Sequence, residues 1–289
     1  MKLIRFGLFG EEKPGVHIEG TNYDVSAFIK DYDEHFFGNG GISHLVEILK
    51  TQKNKLPVVP DNVRIGAPIA RPSKIICVGL NYANHAKETN ADIPKEPIIF
   101  LKATSSFSGP FDHIIIPKKS VKTDWEVELA VVVEKKASYV ELEEAMDYVA
   151  GYVLHNDISE REFQLERGGT WDKGKGCDSF APVGPWMVTK DEIKDPHQLR
   201  LWLSVNDKIM QDGNTDDLIF NIPFLVSYIS QFMTLLPGDI ISTGTPAGVG
   251  LGFTPNIYLK EGDVVALGIE GLGSSKQHVI SHAKMKSLQ

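Results

Sequence analysis

Hydrophobic and polar positions alternate in short runs from residue 74 onward, and this pattern is typical of β-strands. β-branched residues are abundant in these runs, and residues that favour turns separate them. The first run is KIICV (Lys74–Val78), and the others are EPIIFLKA, HIIIP, WEVELAVVVE, YVAGYVLHND, LRLWLSVND, GDIISTG and DVVALGIE. The pattern predicts a strand-dominated domain, whose default architecture is a barrel or a pair of stacked sheets.

Helical periodicity is confined to a few segments. ISHLVEILK at Ile42–Lys50 has a helical pattern, and Leu142–Val149 and Phe220–Phe232 are further candidate helices. The last of these begins near Pro223, and a proline suits the first turn of a helix. The sequence therefore predicts an α+β fold in which strands dominate.

The change of pattern along the chain predicts two domains. Residues 1–70 are expected to form a small N-terminal α+β domain, in which LIRFGLF and GVHIEG make a hairpin. Residues 71–289 are expected to form the larger domain that carries the chemistry. A chain of 289 residues is long enough for this arrangement.

Composition and charge narrow the class of protein. The chain is 42% hydrophobic and 24% charged, which predicts a packed globular core. Its net charge of −8 argues against nucleic acids and anionic membranes as partners. No run of about 18 apolar residues occurs, and the N-terminus lacks the apolar stretch of a signal peptide. We therefore expect a cytoplasmic protein without a membrane segment.

The two cysteines suggest no metal site of their own. Cys77 lies in the apolar run KIICVGL and is expected to be buried, whereas Cys177 lies in a glycine-rich loop and is expected to be partly exposed. Because the chain has no CxxC spacing, a zinc ribbon is excluded.

Three acidic residues on apolar runs form the first candidate site. Glu126 and Glu128 are two apart in TDWEVELAVVV, so a strand would place them on one face. Such pairs are most often solvated on an exposed face, but the following LAVVV predicts burial here. A third acid, Asp157, ends another buried-looking run, YVAGYVLHND. Oxygen ligands without cysteine or paired histidine suit Mg²⁺ or Mn²⁺ better than Zn²⁺, and they leave positions for water and a chelating substrate.

Three further segments carry polar or glycine-rich patterns. In GLNYANHAKE, His85 and Glu88 would share one face of a helical turn, either as a pair for proton transfer or as a surface pair. RGGTWDKGKG predicts a cationic loop that could clamp a carboxylate, and it does not match the phosphate-binding motif GxxxxGK[ST]. STGTPAGVGLG either brings backbone N–H groups close to a ligand or is a surface loop.

Taken in order, these segments resemble the fumarylacetoacetate hydrolase family over about residues 72–280. The motifs that carry the resemblance are GLNYANHAKE, PIIFLKATSSFSGP, DWEVELAVVV, GYVLHNDISEREFQ, KGKGCDSFAPVGPW and LLPGDIISTGTPAGVG. The resemblance implies a mixed β-roll or barrel-like catalytic domain, usually a homodimer, with one bound divalent cation. Mg²⁺ or Mn²⁺ is expected, and Ca²⁺ could take the same place in a crystal.

The resemblance also implies roles for single residues. Metal ligands are expected at Glu126, Glu128 and Asp157. A lid is expected to carry the water-activating dyad His85 and Glu88, and Lys175 is expected to act beside the metal. Substrate contacts are expected at Tyr82, Arg161, Gln164 and Thr245. Some larger members have a further aspartate ligand just before the histidine, but here GLNY holds no carboxylate, so the three-carboxylate site is the better comparison.

The implied activity is hydrolysis of a carbon–carbon bond in a small 2,4-dioxo acid, which releases pyruvate through an enolate. RGGTWDKGKGCDSFAPVGPW is similar to a subgroup that acts on 2,4-dioxo-3-deoxy sugar acids, and to sequences labelled ureidoglycolate lyase. An oxaloacetate-type decarboxylase, a 2-hydroxy-diene-dioate isomerase and a ureidoglycolate lyase stay open as alternatives, because a fold and a metal site do not fix the reaction. A scaffold without activity is disfavoured, since the acids and His85 are all present.

Overall fold

Strands dominate the computed structural model, which describes residues 1–288 of the chain. Its strands are β1 (Lys2–Phe6), β2 (Lys13–Ile18), β3 (Thr21–Asp24), β4 (Ile65–Gly66), β5 (Ile75–Gly79), β6 (Ile98–Lys102), β7 (Phe107–Ser108), β8 (Ile114–Ile116), β9 (Thr123–Asp124), β10 (Val127–Val133), β11 (Val149–Asn156), β12 (Ser159–Glu160), β13 (Ala181–Thr189), β14 (Arg200–Val205), β15 (Lys208–Asn214), β16 (Ile240–Ser242), β17 (Val264–Ile269) and β18 (Gly273–Ser281).

The helices are short. They are α1 (Glu34–Gly38), α2 (Gly41–Gln52), α3 (Ala83–Glu88), α4 (Asp172–Lys175), α5 (Ile222–Ser230) and α6 (His282–Leu288). Turns of 3-10 helix occupy Lys53–Lys55, Thr104–Ser106, Leu142–Tyr148, Lys190–Glu192, Thr215–Asp217 and Gly250–Gly252, and a π-helical turn occupies Glu162–Glu166. In the described part of the chain, no helix is long and apolar enough to cross a membrane.

The strands form one large sheet, one smaller sheet and an isolated pair. The large sheet has the order β3-β2-β1-β13-β11-β10-β16-β5-β6, with β4 paired to β1 and β7 paired to β13. The smaller sheet has the order β15-β14-β17-β18-β8, and β9 pairs with β12. The predicted strand-dominated α+β fold is confirmed, although the strands of residues 1–288 form open sheets and close no barrel.

Strands β10 and β11 lie near the middle of the large sheet and are buried on both faces. Every residue of β10 is buried. Leu129 and Val131 point into one hydrophobic core, and Ala130 and Val132 point into the other. Because full burial of one such side chain contributes about 1.5–3 kcal/mol, this strand is firmly fixed. It is therefore a rigid support for the polar residues at its ends.

The N-terminal segment is joined to the same sheet. The predicted hairpin is present, because β1 pairs antiparallel with β2, and β1 also pairs with β13 through Lys2 and Val188. The predicted helix at Ile42–Lys50 is part of α2, whose Leu45 and Ile48 are buried. The boundary between residues 70 and 71 stays a prediction, because the sheet runs across it.

The other two predicted helices differ in outcome. The helix expected at Phe220–Phe232 is α5, which begins after Asn221, whose side chain accepts a hydrogen bond from the Phe224 amide at 3.0 Å. The α-helix expected at Leu142–Val149 is instead a 3-10 helix over Leu142–Tyr148, and Val149 already belongs to β11.

Candidate metal centre

Three acidic side chains meet at the ends of two central strands of the large sheet. Glu126 directly precedes β10, Glu128 lies within β10, and Asp157 directly follows β11. Because β10 and β11 are antiparallel, the start of one and the end of the other lie side by side. One carboxylate oxygen of each residue lies within 4.8 Å of the other two, and all three residues are buried. The alternative of a solvated strand face is therefore wrong.

Lys175 is a buried cation that bridges two of the three carboxylates. Its Nζ donates to Glu126 at 2.7 Å and to Asp157 at 2.9 Å. Lys102 is also buried, and its Nζ donates to Asp157 and to the carbonyl oxygen of Ile158. Burial alone would raise the pKa of Asp157, but the charges of Lys102 and Lys175 outweigh burial and hold that pKa well below its usual range. Asp157 is therefore ionised.

The segment predicted as a cationic loop contains the short helix α4. Gly174 packs so closely on the preceding chain that a Cβ atom there would lie 2.5 Å from the Glu160 carbonyl oxygen. This close approach places Lys175 beside the carboxylates, whereas Lys173 is exposed and donates to the carbonyl oxygen of Arg167. Only one of the two lysines in KGKG therefore reaches the site.

Glu128 is the carboxylate that lacks a basic partner. Within the described chain, its hydrogen bonds come from the Ser242 hydroxyl and, at 3.2 Å, from the Gly244 amide. Burial raises the pKa of Glu128 well above its usual value, and the nearby charges of Asp157 and Glu126 raise it further. A buried carboxylate in this state requires either a proton or a nearby cation.

Arg161 is also buried and is held by acidic side chains. Its Nε donates to Asp124 at 2.8 Å, its Nη2 donates to Glu126 at 2.7 Å, and its Nη1 donates to Gln164 at 3.1 Å. Asp124 accepts a further hydrogen bond from the Gly250 amide at 2.7 Å. Arg161 therefore orients Glu126, and its role as a substrate contact stays a prediction.

The charges of this cluster do not balance. Four buried acids are Asp124, Glu126, Glu128 and Asp157, and three buried basic residues are Lys102, Arg161 and Lys175. Buried charges in proteins are normally paired or coordinate a metal. All the candidate ligand atoms are carboxylate oxygens, which suit hard divalent cations. The residues present therefore fit an Mg²⁺ or Mn²⁺ ion bound by Glu126, Glu128 and Asp157.

The predicted dyad lies on α3, and its histidine lines a cleft. His85 Nδ1 is 3.4 Å from Glu88 Oε2, and the Gly248 amide donates to both carboxylate oxygens of Glu88 at 3.0 and 3.1 Å. Burial raises the pKa of Glu88, but the hydrogen bonds from His85 and Gly248 outweigh it and lower that pKa. A Cβ atom at Gly252 would lie 2.5 Å from the Glu88 carboxyl carbon, so this position suits glycine. Glu88 is therefore an ionised acceptor that orients the imidazole ring.

The cleft has a volume of about 220 Å³, which suits a small organic molecule. The predicted residues in its lining are Glu126, Glu128, Lys175, His85, Arg161, Gln164 and Thr245. Thr245 donates to the Val127 carbonyl oxygen at 2.9 Å. Tyr82 is fully buried and is not part of the lining, and its hydroxyl has no partner among the described residues. Its role as a substrate contact stays a prediction.

One part of the cleft wall is apolar and was not predicted. Leu80, Leu165, Trp171, Val249 and Leu251 line it. The Trp171 ring lies edge-on to Phe100 with centroids 5.2 Å apart. Sequence reasoning also missed Lys102, although a lysine that closes the apolar run IIFLK is a signal that could have identified it.

A comparison with protein families agrees with this geometry. The sequence profile described as fumarylacetoacetate (FAA) hydrolase C-terminal matches residues 74–280. The chain belongs to the fumarylacetoacetate hydrolase family. A relative from Burkholderia lata, named as a hydrolase without a stated substrate, is 50% identical over 280 residues, which cover 96% of this chain and 98% of the relative.

Solved structures of the family are similar over nearly the whole chain. Fumarylacetoacetate hydrolase from psychrophilic Exiguobacterium antarcticum is 34% identical with a TM-score of 0.85, covering 98% of this chain and 100% of that one. Maleylpyruvate hydrolase from Sphingobium sp. SYK-6, in complex with manganese(II) and pyruvate, is 31% identical with a TM-score of 0.81, covering 97% and 99%. The 2-hydroxyhepta-2,4-diene-1,7-dioate isomerase from Mycobacterium marinum is 33% identical with a TM-score of 0.75, covering 98% and 99%. The family is therefore enzymatic, and its members catalyse more than one reaction.

Proposed function

We propose that the chain is an Mg²⁺- or Mn²⁺-dependent hydrolase that cleaves a carbon–carbon bond of a 2,4-dioxo acid and releases pyruvate. The observation that carries this proposal is the buried trio Glu126, Glu128 and Asp157, whose charge is incompletely balanced. Glu126 and Glu128 line a cleft that is also lined by His85. The similarity to a maleylpyruvate hydrolase that binds manganese and pyruvate supports it.

Each part of the site has a separate chemical task. The three carboxylates would hold the ion, which would bind the substrate's carboxylate and 2-oxo oxygens and withdraw electrons from them. Because the ionised Glu88 accepts from Nδ1 of His85, Nε2 of that ring is free to take a proton from water. The hydroxide adds to the C4 carbonyl, the C3–C4 bond breaks, and C3 receives a proton. The products are pyruvate and the acid of the remaining acyl group.

The apolar part of the cleft wall supports a substrate with an uncharged tail. The basic side chains in the lining, His85, Arg161 and Lys175, already contact carboxylates, and most of the other lining residues apart from Glu126 and Glu128 are apolar. A second carboxylate at the far end of the substrate would be desolvated there without a partner. This disfavours the dienedioate isomerase alternative, and also maleylpyruvate itself, whose maleyl tail ends in a carboxylate. It agrees with an uncharged sugar-acid or acyl tail, and the similarity to the maleylpyruvate hydrolase supports the metal and the pyruvate product only.

The proposal is tested with a chelated protein and a panel of substrates. The panel contains 2,4-dioxo acids with an alkyl tail, a 3-deoxy sugar-acid tail and a tail that ends in a carboxylate, together with oxaloacetate. We expect no turnover without metal, recovery with Mg²⁺ or Mn²⁺, and pyruvate plus a second acid from the uncharged substrates. Full activity in the demetallated protein would contradict the metal assignment, and a preference for the dicarboxylate would contradict the uncharged tail.

A decarboxylase that acts on oxaloacetate is a second candidate, because it needs the same metal ligands. It does not need a water molecule for attack on a carbonyl. Release of CO₂ from oxaloacetate at a higher kcat/KM than hydrolysis of any 2,4-dioxo acid would identify the chain as a decarboxylase.

A further inference from the structure

A buried histidine outside the predicted site is connected to Glu128 through a hydroxyl group. His155 lies directly opposite Glu128 in the pairing of β10 with β11 and is fully buried. Its Nδ1 lies 2.7 Å from the Ser242 hydroxyl, which in turn contacts Oε2 of Glu128. Three adjacent strands, β11, β10 and β16, therefore contribute one residue each to a continuous chain of hydrogen bonds.

The number of available hydrogens determines which group donates and which accepts in this series of hydrogen bonds. A serine hydroxyl has one hydrogen, and an ionised carboxylate can only accept. When Glu128 is ionised, as a metal ligand must be, Ser242 therefore donates to Glu128 and accepts from Nδ1–H of His155. The other ring nitrogen, Nε2, is buried without a partner among the described residues. An unpaired acceptor is tolerated there more easily than an unpaired N–H donor, so the neutral Nδ1–H form satisfies every donor.

Glu128 is bound on one oxygen only. Both of its described hydrogen bonds, from Ser242 and from the Gly244 amide, reach Oε2. In contrast, Glu126 and Asp157 each accept from a basic side chain on both oxygens. Oε1 of Glu128 is therefore the oxygen of the trio with no donor among residues 1–288.

We propose that His155 and Ser242 are positioning residues that hold Oε2 of Glu128, so that Oε1 is directed at the divalent ion. This inference rests on the proposed metal-dependent function, and it adds two residues to that site. The Ser242 oxygen accepts a hydrogen bond from His155 on one side. The hydroxyl hydrogen of Ser242 is thereby directed to the other side, at Glu128. The two residues should therefore act on metal binding together rather than independently.

The test compares variants that keep or remove each donor. Ser242→Ala removes the hydroxyl and Ser242→Thr keeps it, while His155→Leu removes the Nδ1 donor and His155→Asn keeps an N–H near its position. We expect Ser242→Ala and His155→Leu to weaken Mn²⁺ binding by about 10- to 100-fold, the range measured when a partner of a metal ligand is removed. The threonine and asparagine variants should retain most of the affinity. Binding is measured by titration calorimetry, and the ligand geometry by the electron paramagnetic resonance spectrum of bound Mn²⁺.

A double variant distinguishes a relay, in which His155 acts on Glu128 through Ser242, from independent effects of the two substitutions on the structure. If His155 acts through Ser242, then Ser242→Ala/His155→Leu should bind Mn²⁺ no more weakly than Ser242→Ala alone. Losses that add, or single variants with wild-type affinity and spectrum, would overturn the relay. Should His155→Leu fail to fold, the comparison of Ser242→Ala with Ser242→Thr still decides, because equal affinities overturn the proposal. A wild-type protein that binds no Mn²⁺ would instead refute the proposed function itself.

Discussion

His85 can be tested separately from the metal ligands. It lines the cleft but contacts Glu88 rather than the carboxylate trio. We predict that His85→Ala lowers kcat for hydrolysis by about 10²-fold or more, the usual effect of losing a general base, while Mn²⁺ affinity is unchanged. The matched variant Glu88→Gln keeps an acceptor for the ring but removes its charge, so a smaller loss is expected. Steady-state kinetics and a metal titration check both statements.

The same variant distinguishes hydrolysis from decarboxylation. Loss of CO₂ from oxaloacetate needs no attacking water, so His85→Ala should affect it much less than it affects hydrolysis. Equal hydrolysis by His85→Ala and wild-type protein would show that another group activates the water.

At the residue scale, the acidic residues of the site can be recognised from the sequence, but most of the residues that contact them cannot. Glu126 and Glu128 could be recognised because two carboxylates interrupt a run of apolar residues that must be buried. Ser242 and His155 could not be assigned in the same way, since their partners are distant in sequence: His155 contacts Ser242, and Ser242 contacts Glu128. Such contacts leave no local periodicity, and each residue alone resembles an ordinary strand residue.

At the scale of elements, strands with a continuous hydrophobic pattern could be predicted, whereas a strand interrupted by proline could not. β10 and β11 consist largely of β-branched and other apolar residues, and both were expected. β13 was missed because Pro182 and Pro185 lie within it, and proline cannot donate a ladder hydrogen bond. Pro185 lies where the register of β13 against β11 shifts, between the partners of Val153 and His155. Pro182 lies before this paired stretch, opposite Ser108 of β7.

The helix α3 is the element whose behaviour should depend on ligand. It has six residues, which is too short for a helix to be stable on its own, since about twelve residues are marginal in water. Two contacts hold it from outside: Glu88 accepts from the Gly248 amide, and the Asn84 amide donates to Asp217 at 3.0 Å. We predict a lid over residues 82–94 that opens in the metal-bound protein without substrate and closes when a ligand binds.

Hydrogen exchange of backbone amides tests this lid. Exchange across residues 82–94 should be fast with metal alone and markedly slower after addition of oxalate, which mimics the two chelating oxygens of a 2-oxo acid. Amides of β10 should exchange slowly in both states and serve as the internal control. Strong protection of the segment without oxalate, unchanged by its addition, would show that α3 is a fixed part of the wall.

At the scale of the whole molecule, the metal centre connects parts of the chain that are far apart in sequence. Its ligands lie at the ends of β10 and β11 in the middle of the large sheet, and its lysines come from β6 and α4. An ion bound there contacts groups that separate when the sheet unfolds. Metal binding should therefore stabilise the entire domain, because a ligand that binds only the folded state raises the free energy of unfolding.

Thermal unfolding with and without Mn²⁺ measures this coupling. At a Mn²⁺ concentration 100 times Kd, the expected stabilisation is about 2.7 kcal/mol, which corresponds to a rise in Tm of roughly 4–5 °C for a chain of this size. Glu128→Gln should abolish most of that rise, because a neutral amide is a poor ligand for a hard cation. Without metal, however, the variant should unfold at the same temperature as wild type or higher, since the substitution removes a buried carboxylate that has no basic partner and lies beside two other acids. A metal-free variant with a Tm several degrees below that of wild type would show that Glu128 stabilises the fold itself. A variant that keeps the full Mn²⁺-dependent rise in Tm would show that Glu128 is not a metal ligand.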